Sequence, residues 1–172
     1  LMDSPTLTSE GQMNECGFHG CTFTSSALAT EDEITIRNGD SHVSGTGSPV
    51  MDWSAVTKAT SINVRGWLGG GQWTLTSNCT ASIEVHRGGG HTINANGATV
   101  EFRGSARSVS IVLTGGETIQ MIADTGPISI SGAGVGSTVN LYGTHSGVTN
   151  TATGSPTLLD AAQDNRDSAL IL

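Results

Sequence analysis

One motif constrains this chain more than any other: a short apolar/polar alternation that recurs through its middle. The segments SINVR (61–65), QWTLT (72–76), SIEVH (82–86), HTINA (91–95), TVEFR (99–103), SVSIVL (108–113), TIQMI (118–122), PISIS (127–131) and TVNLY (138–142) each set an apolar residue at every second position. Alternation over about five residues is the mark of a half-buried strand. The inward pairs it predicts are Ile62/Val64, Trp73/Leu75, Ile83/Val85, Ile93/Ala95, Val100/Phe102, Ile111/Leu113, Ile119/Met121, Ile128/Ile130 and Val139/Leu141. β-branched residues lead most of them, which suits a pleated surface.

Glycine-rich breaks separate the segments at 69–71, 88–90, 97, 104, 115–116, 126, 132–136 and 143. Successive strands begin roughly ten residues apart, a spacing that fits a sandwich, a barrel or a β-solenoid. The strands are short and nearly equal, no long stretch resembles a Greek-key crossover, and the texture repeats. These features favour an all-β solenoid of parallel β-helix type, with two or three strands per coil and burial supplied by stacking. A compact β-sandwich or jelly roll is the alternative.

The two ends read differently. Residues 1–45 hold strand-like pieces, CTFT and EITIR, beside the acidic run Glu31, Asp32 and Glu33, and are expected to form N-terminal β-helical coils. Residues 46–150 form the Gly-rich body, and 151–172 a linker followed by a short C-terminal helix. Pro156 stands just ahead of Thr157, and Thr157 with Asp160 resembles a capping box. A helix of about fifteen residues is marginal alone, so Leu158, Leu159, Ala162 and Leu170 are expected to pack as an oligomer seam. The opening Leu1 and the apolar finish SALIL suggest a piece of a longer chain.

Composition narrows the function. Only 13% of residues are charged, against about a quarter in ordinary soluble domains. Such a surface is solvated by hydroxyls and suits a rigid extracellular protein. The formal net charge is −8 and the seven basic residues are scattered, which argues against nucleic acid as a partner, since that affinity depends on Lys and Arg. No apolar run reaches the roughly 18 residues of a membrane span, and no membrane insertion is expected.

Candidate chemistry is sparse. Cys16 and Cys21 flank His19 in CGFHGC, with Cys79 remote. Two close thiols and one imidazole make a thin metal set, so free thiols stacked in the core are the expectation, with no metal and no cofactor. Asp52, Glu84, Glu101 and Glu117 are acids in strand context. Glu84 and Glu101 sit at the outward middle of their strands and, if those strands share one face, could flank a glycosidic bond at about 5–9.5 Å. Outward Glu on a solenoid is ordinarily a solubilising residue. The histidines His19, His42, His86, His91 and His145 lie at no telling distance from an Asp or Cys. No catalytic residue is assigned, and a polysaccharide lyase or hydrolase is the minor alternative. Trp67, in the turn RGWLGGG, is the aromatic expected at the surface, against a neighbouring subunit or a sugar.

The stretch IRNGDSHVSGTGSPVMDWSAVTKATSINVRGWLGGG (36–71), followed by TINANGATVEFRG (92–104), resembles bacteriophage and prophage fibre-like structural proteins. The resemblance covers about 12–165 and is one of texture and order. It implies a virion location, in a tail fibre or spike or in a head fibre, and a homotrimer among other virion proteins. By analogy of fold alone, it also implies contact with a host surface glycan.

Overall fold

The computed structural model describes residues 50–66 and 70–161 continuously. Before them it describes six short strands: β1 (Met2–Asp3), β2 (Thr6–Leu7), β3 (Met13–Asn14), β4 (Phe18–His19), β5 (Thr22–Thr24) and β6 (Glu33–Arg37). The continuous part holds β7 (Val50–Asp52), β8 (Thr60–Gly66), β9 (Gly71–Thr74), β10 (Cys79–Asn94), β11 (Thr99–Leu113), β12 (Thr118–Thr125), β13 (Pro127–Gly132), β14 (Thr138–Leu141), β15 (Gly147–Asn150) and β16 (Thr157–Asp160).

Every one of these pairings is parallel, and each strand meets the strand one coil later. On the first face the register runs Ser61, Thr80, Thr99, Thr118, Thr138, Thr157, and on the second Gln72, Thr92, Ser110, Ser129, Thr149. The chain is a β-solenoid of about six turns. From β8 and β9 onward each coil spends 18 to 20 residues on two strands (Thr92 to Ser110, Thr118 to Thr138). The ten-residue rhythm in the sequence is therefore half a coil. β10 and β11 run unbroken round the corner and belong to both faces. A register shift between Val85 and Gly88 gives β10 one extra residue at that corner.

Stacking explains why such short strands are stable. A coil alone buries little, but inward side chains from successive coils form columns. One column is Ile62, Ala81, Val100, Ile119, Val139 and Leu158; its neighbour is Val64, Ile83, Phe102, Met121, Leu141 and Asp160. On the second face Met51, Trp73, Ile93, Ile111, Ile130 and Asn150 align. All the inward pairs read from the alternation are buried. Their outward neighbours are less open than alternation suggests. Ser129 is exposed, but Glu84, Glu101, Ser110 and Asn140 are half-buried. Strands in a sheet lie about 4.8 Å apart, so the coils above and below cover the flanks of each side chain.

Turns are tied coil to coil. Asn78 Nδ2 donates to the Val56 carbonyl at 3.2 Å, and Asn96 Nδ2 to the Leu75 carbonyl at 2.9 Å. An amide side chain thereby satisfies backbone that the turn leaves unpaired.

One expectation fails at the C-terminal end. Residues 157–160 are a strand rather than the start of a helix: Thr157 to Asp160 pair in register with Thr138 to Leu141. The Thr157 amide donates to the Ser137 carbonyl at 2.9 Å. A waiting parallel edge supplies hydrogen bonds and a column of apolar contacts at once, whereas an isolated short helix must first nucleate. Cys16 and Cys21, and the Ala162 and Leu170 half of the seam, lie outside the described residues.

Candidate functional surfaces

The first face carries an outward cluster of charged groups. Arg65, Glu84 and Arg103 stand in one outward column. Glu84 Oε1 lies 3.4 Å from Arg65 Nε and 2.9 Å from His86 Nε2, and Arg103 Nε donates to Glu101 Oε1 at 2.5 Å. The sequence therefore places Glu84 and Glu101 correctly on one face, but each is engaged by a cation. The hydrogen bond from Arg103 holds the Glu101 carboxyl below its ordinary range, opposite to what a general acid needs at neutral pH.

Glu117 is the acid whose role alternation does not reveal. It stands at the turn just before β12 and is 1% exposed. Its Oε1 accepts from the amides of Gly97 (2.9 Å), Thr114 (2.7 Å) and Gly115 (2.9 Å) and from the Thr114 hydroxyl (2.9 Å). Its Oε2 accepts from the Ser137 hydroxyl. Burial alone would raise its pKa, but these donors outweigh burial and lower it to about 2. Its partners come from the coil before, its own coil and the coil after, so one carboxylate pins three coils. The signal in sequence was the pair Gly115-Gly116 ahead of Glu117, a loop able to turn its amides inward.

An aromatic stack rises through the interior. Trp53 and Trp73 stack at 6.2 Å, Trp73 and His91 at 6.0 Å, and His91 meets Phe102 edge-on at 5.3 Å. Trp73 Nε1 donates to His91 Nδ1 at 3.3 Å, which places the proton of the neutral imidazole on Nε2. That Nε2 is buried and has no hydrogen-bond partner. Desolvation lowers the pKa of His91 to about 4. His91 opens the HTINA strand segment, where sequence alone names no partner for it, and it is 2% exposed. The ring fits because Gly71 precedes it in the column: a Cβ there would lie 3.1 Å from His91 Nδ1 and 3.0 Å from the Trp73 indole.

The second face is uncharged where it is concave. A shallow groove of about 350 Å³ crosses its outer surface, lined by hydroxyls of Thr92, Ser108, Ser110, Ser129 and Thr149, with Gly90 and Pro127 at its edge. Exposed large apolar residues gather instead in the last coils. Ile122 and Tyr142 are 39% and 47% exposed, and Leu158 and Leu159 are 37% and 45% exposed. Leu158 points along a core column and is open because no described coil covers it. Leu159 points outward. His145, which is buried, lies with Nε2 3.0 Å from Asp160 Oδ1. Trp67 lies outside the described residues. Among those residues, no group of three His, Cys, Asp or Glu is gathered to hold a metal ion, Cys79 is a free buried thiol, and no helix is long and apolar enough to cross a membrane.

Comparison with protein-family models, with curated proteins and with solved structures returned no significant match.

Proposed function

We propose that this chain is a rigid, non-catalytic segment of a virion appendage, a bacteriophage tail fibre or spike that takes part in adsorption to the host surface. The observation that carries the reading is the uninterrupted stack of parallel coils, apolar inside and hydroxyl-coated outside. The outward column Ser61, Thr80, Thr99, Thr118, Thr138, Thr157 continues across six successive coils of the first face. A stack of about six turns at about 4.8 Å per coil is a rod segment with few protruding loops, suited to stiffness outside the cell. The resemblance of 36–71 and 92–104 to fibre-like proteins supports the same reading. The engaged state of Glu84 and Glu101 supports a binding or structural role over hydrolysis.

The appendage is a homotrimer in this reading. Leu158 and Leu159, open at the last described coil, contribute to its seam with Ala162 and Leu170, and other virion proteins hold it in place. Gold-labelled antibody against this chain, imaged on phage particles, tests the location: label at the tail is expected, label on the head moves the chain to a head fibre, and unlabelled particles overturn the reading. Light scattering on the purified chain tests the trimer. Release of fragments from capsular polysaccharide would assign it to the carbohydrate-active class instead.

A further inference from the structure

The groove on the second face has a chemistry that nothing in the rod itself requires. Thr92, Ser110, Ser129 and Thr149 follow one another in the register of four successive coils, so their hydroxyls recur about every 4.8 Å along the axis. Two of them already bond each other: the Ser129 hydroxyl donates to the Ser110 hydroxyl at 3.1 Å. A row of groups that both donate and accept matches a ligand that does the same along its length. The groove has volume because Gly90 contributes no side chain, while Pro127 offers a flat apolar surface beside the hydroxyls. No Lys, Arg, Asp or Glu lines the groove, and its one imidazole, His91, is buried and neutral at pH 7, so a charged ligand would lose hydration there without gaining a partner.

We infer that this groove binds a neutral, linear glycan lying along the solenoid axis, its hydroxyls exchanging hydrogen bonds with the Thr/Ser row and its C–H faces resting on Pro127. This assignment rests on the adsorption reading above and gives that reading a site. The large described tryptophans, Trp53 and Trp73, are buried and offer no stacking platform, so each sugar is held weakly and affinity depends on the number of coils engaged.

The test is amide chemical-shift mapping on the intact chain with maltohexaose, cellohexaose and mannohexaose, and with oligogalacturonate as the anionic contrast. Saturable shifts at Thr92, Ser110, Ser129 and Thr149 are expected with at least one neutral hexasaccharide at millimolar concentration, and none with the uronate. Ser129→Lys projects a long side chain into the groove from an exposed position and should weaken binding roughly tenfold or more. Ser82→Lys, on the opposite face, should leave binding unchanged. The inference is overturned if no neutral hexasaccharide moves the groove amides, if the uronate moves them as strongly, or if Ser129→Lys binds as the native chain does. Labelling of particles is independent of all three outcomes, so failure of the groove and failure of the appendage reading are distinguishable.

Discussion

Two buried ionisable residues govern how this solenoid responds to acid, and they act in adjoining windows. Glu117 has its pKa lowered from 4.5 to about 2 by its ring of donors. A carboxyl depressed on folding stabilises the native state above its unfolded pKa, and that stabilisation is lost as pH falls from about 4.5 through 2. The shift corresponds to on the order of 3 kcal/mol. His91 has its pKa lowered from 6.5 to about 4 by burial. Its neutral form is the one the core accepts, so its contribution is complete above about 6.5 and is lost as pH falls through 4. Urea midpoints measured against pH should therefore decline in two overlapping steps. Glu117→Gln should destabilise the chain by on the order of 3 kcal/mol at neutral pH, because several amides lose a charged acceptor, and should flatten the lower step. His91→Met should flatten the upper step and leave the lower one. A His91→Met profile that still falls between pH 6.5 and 4 would assign that step to another group.

At the scale of elements, strand identity was legible because alternation survives burial. Each inward pair is apolar and, Val112 apart, the residue between its members is polar, so the register could not slip by one without inverting a face. The coil length was half-legible: the ten-residue rhythm was visible, but nothing local says that two strands rather than three close a turn. The end of the chain misled because Leu158, Leu159 and Ala162 fit helical spacing, and only the position of Val139 beneath Leu158 decides for a strand. The groove was not legible at all, since Thr92, Ser110, Ser129 and Thr149 are adjacent only after the coils stack.

The glycine breaks were legible as turns but not ranked, and geometry ranks them. Gly104 has φ +99°, and a Cβ there would lie 1.8 Å from the Val85 carbonyl oxygen of the coil before; Gly116 has φ +79° but open space around it. Gly116→Ala should cost about 1–2 kcal/mol from the left-handed backbone alone. Gly104→Ala adds a clash with main chain that cannot swing aside, and should exceed about 4 kcal/mol. Urea denaturation of the two variants side by side checks the order, and equal losses would mean that the corner at Gly104 relaxes.

For the whole molecule, the open question of any solenoid is what stops it. A parallel stack exposes at each end the same unpaired edge that joins its interior coils, and an edge of that kind recruits further strands. The last described coil sets polar residues inside two core columns, beside the apolar Leu158 in a third. Asp160 stands where Val64, Ile83, Phe102, Met121 and Leu141 stand in earlier coils, and Asn150 stands where Trp73, Ile93, Ile111 and Ile130 do. Asn150 turns its Oδ1 back to accept from the Ala152 amide at 3.0 Å, and Asp160 engages His145. Another coil laid on this end would bury the Asn150 amide and the paired Asp160 carboxylate against apolar side chains, at a desolvation cost on the order of several kcal/mol. The double variant Asn150→Val, Asp160→Leu should therefore associate end to end. Head-to-tail contact between identical rods does not close, so the product is a filament rather than a defined oligomer. Sedimentation velocity and negative-stain imaging check this outcome. A double variant that keeps the native chain's oligomeric state at high concentration would show that the end is covered by something other than these two side chains.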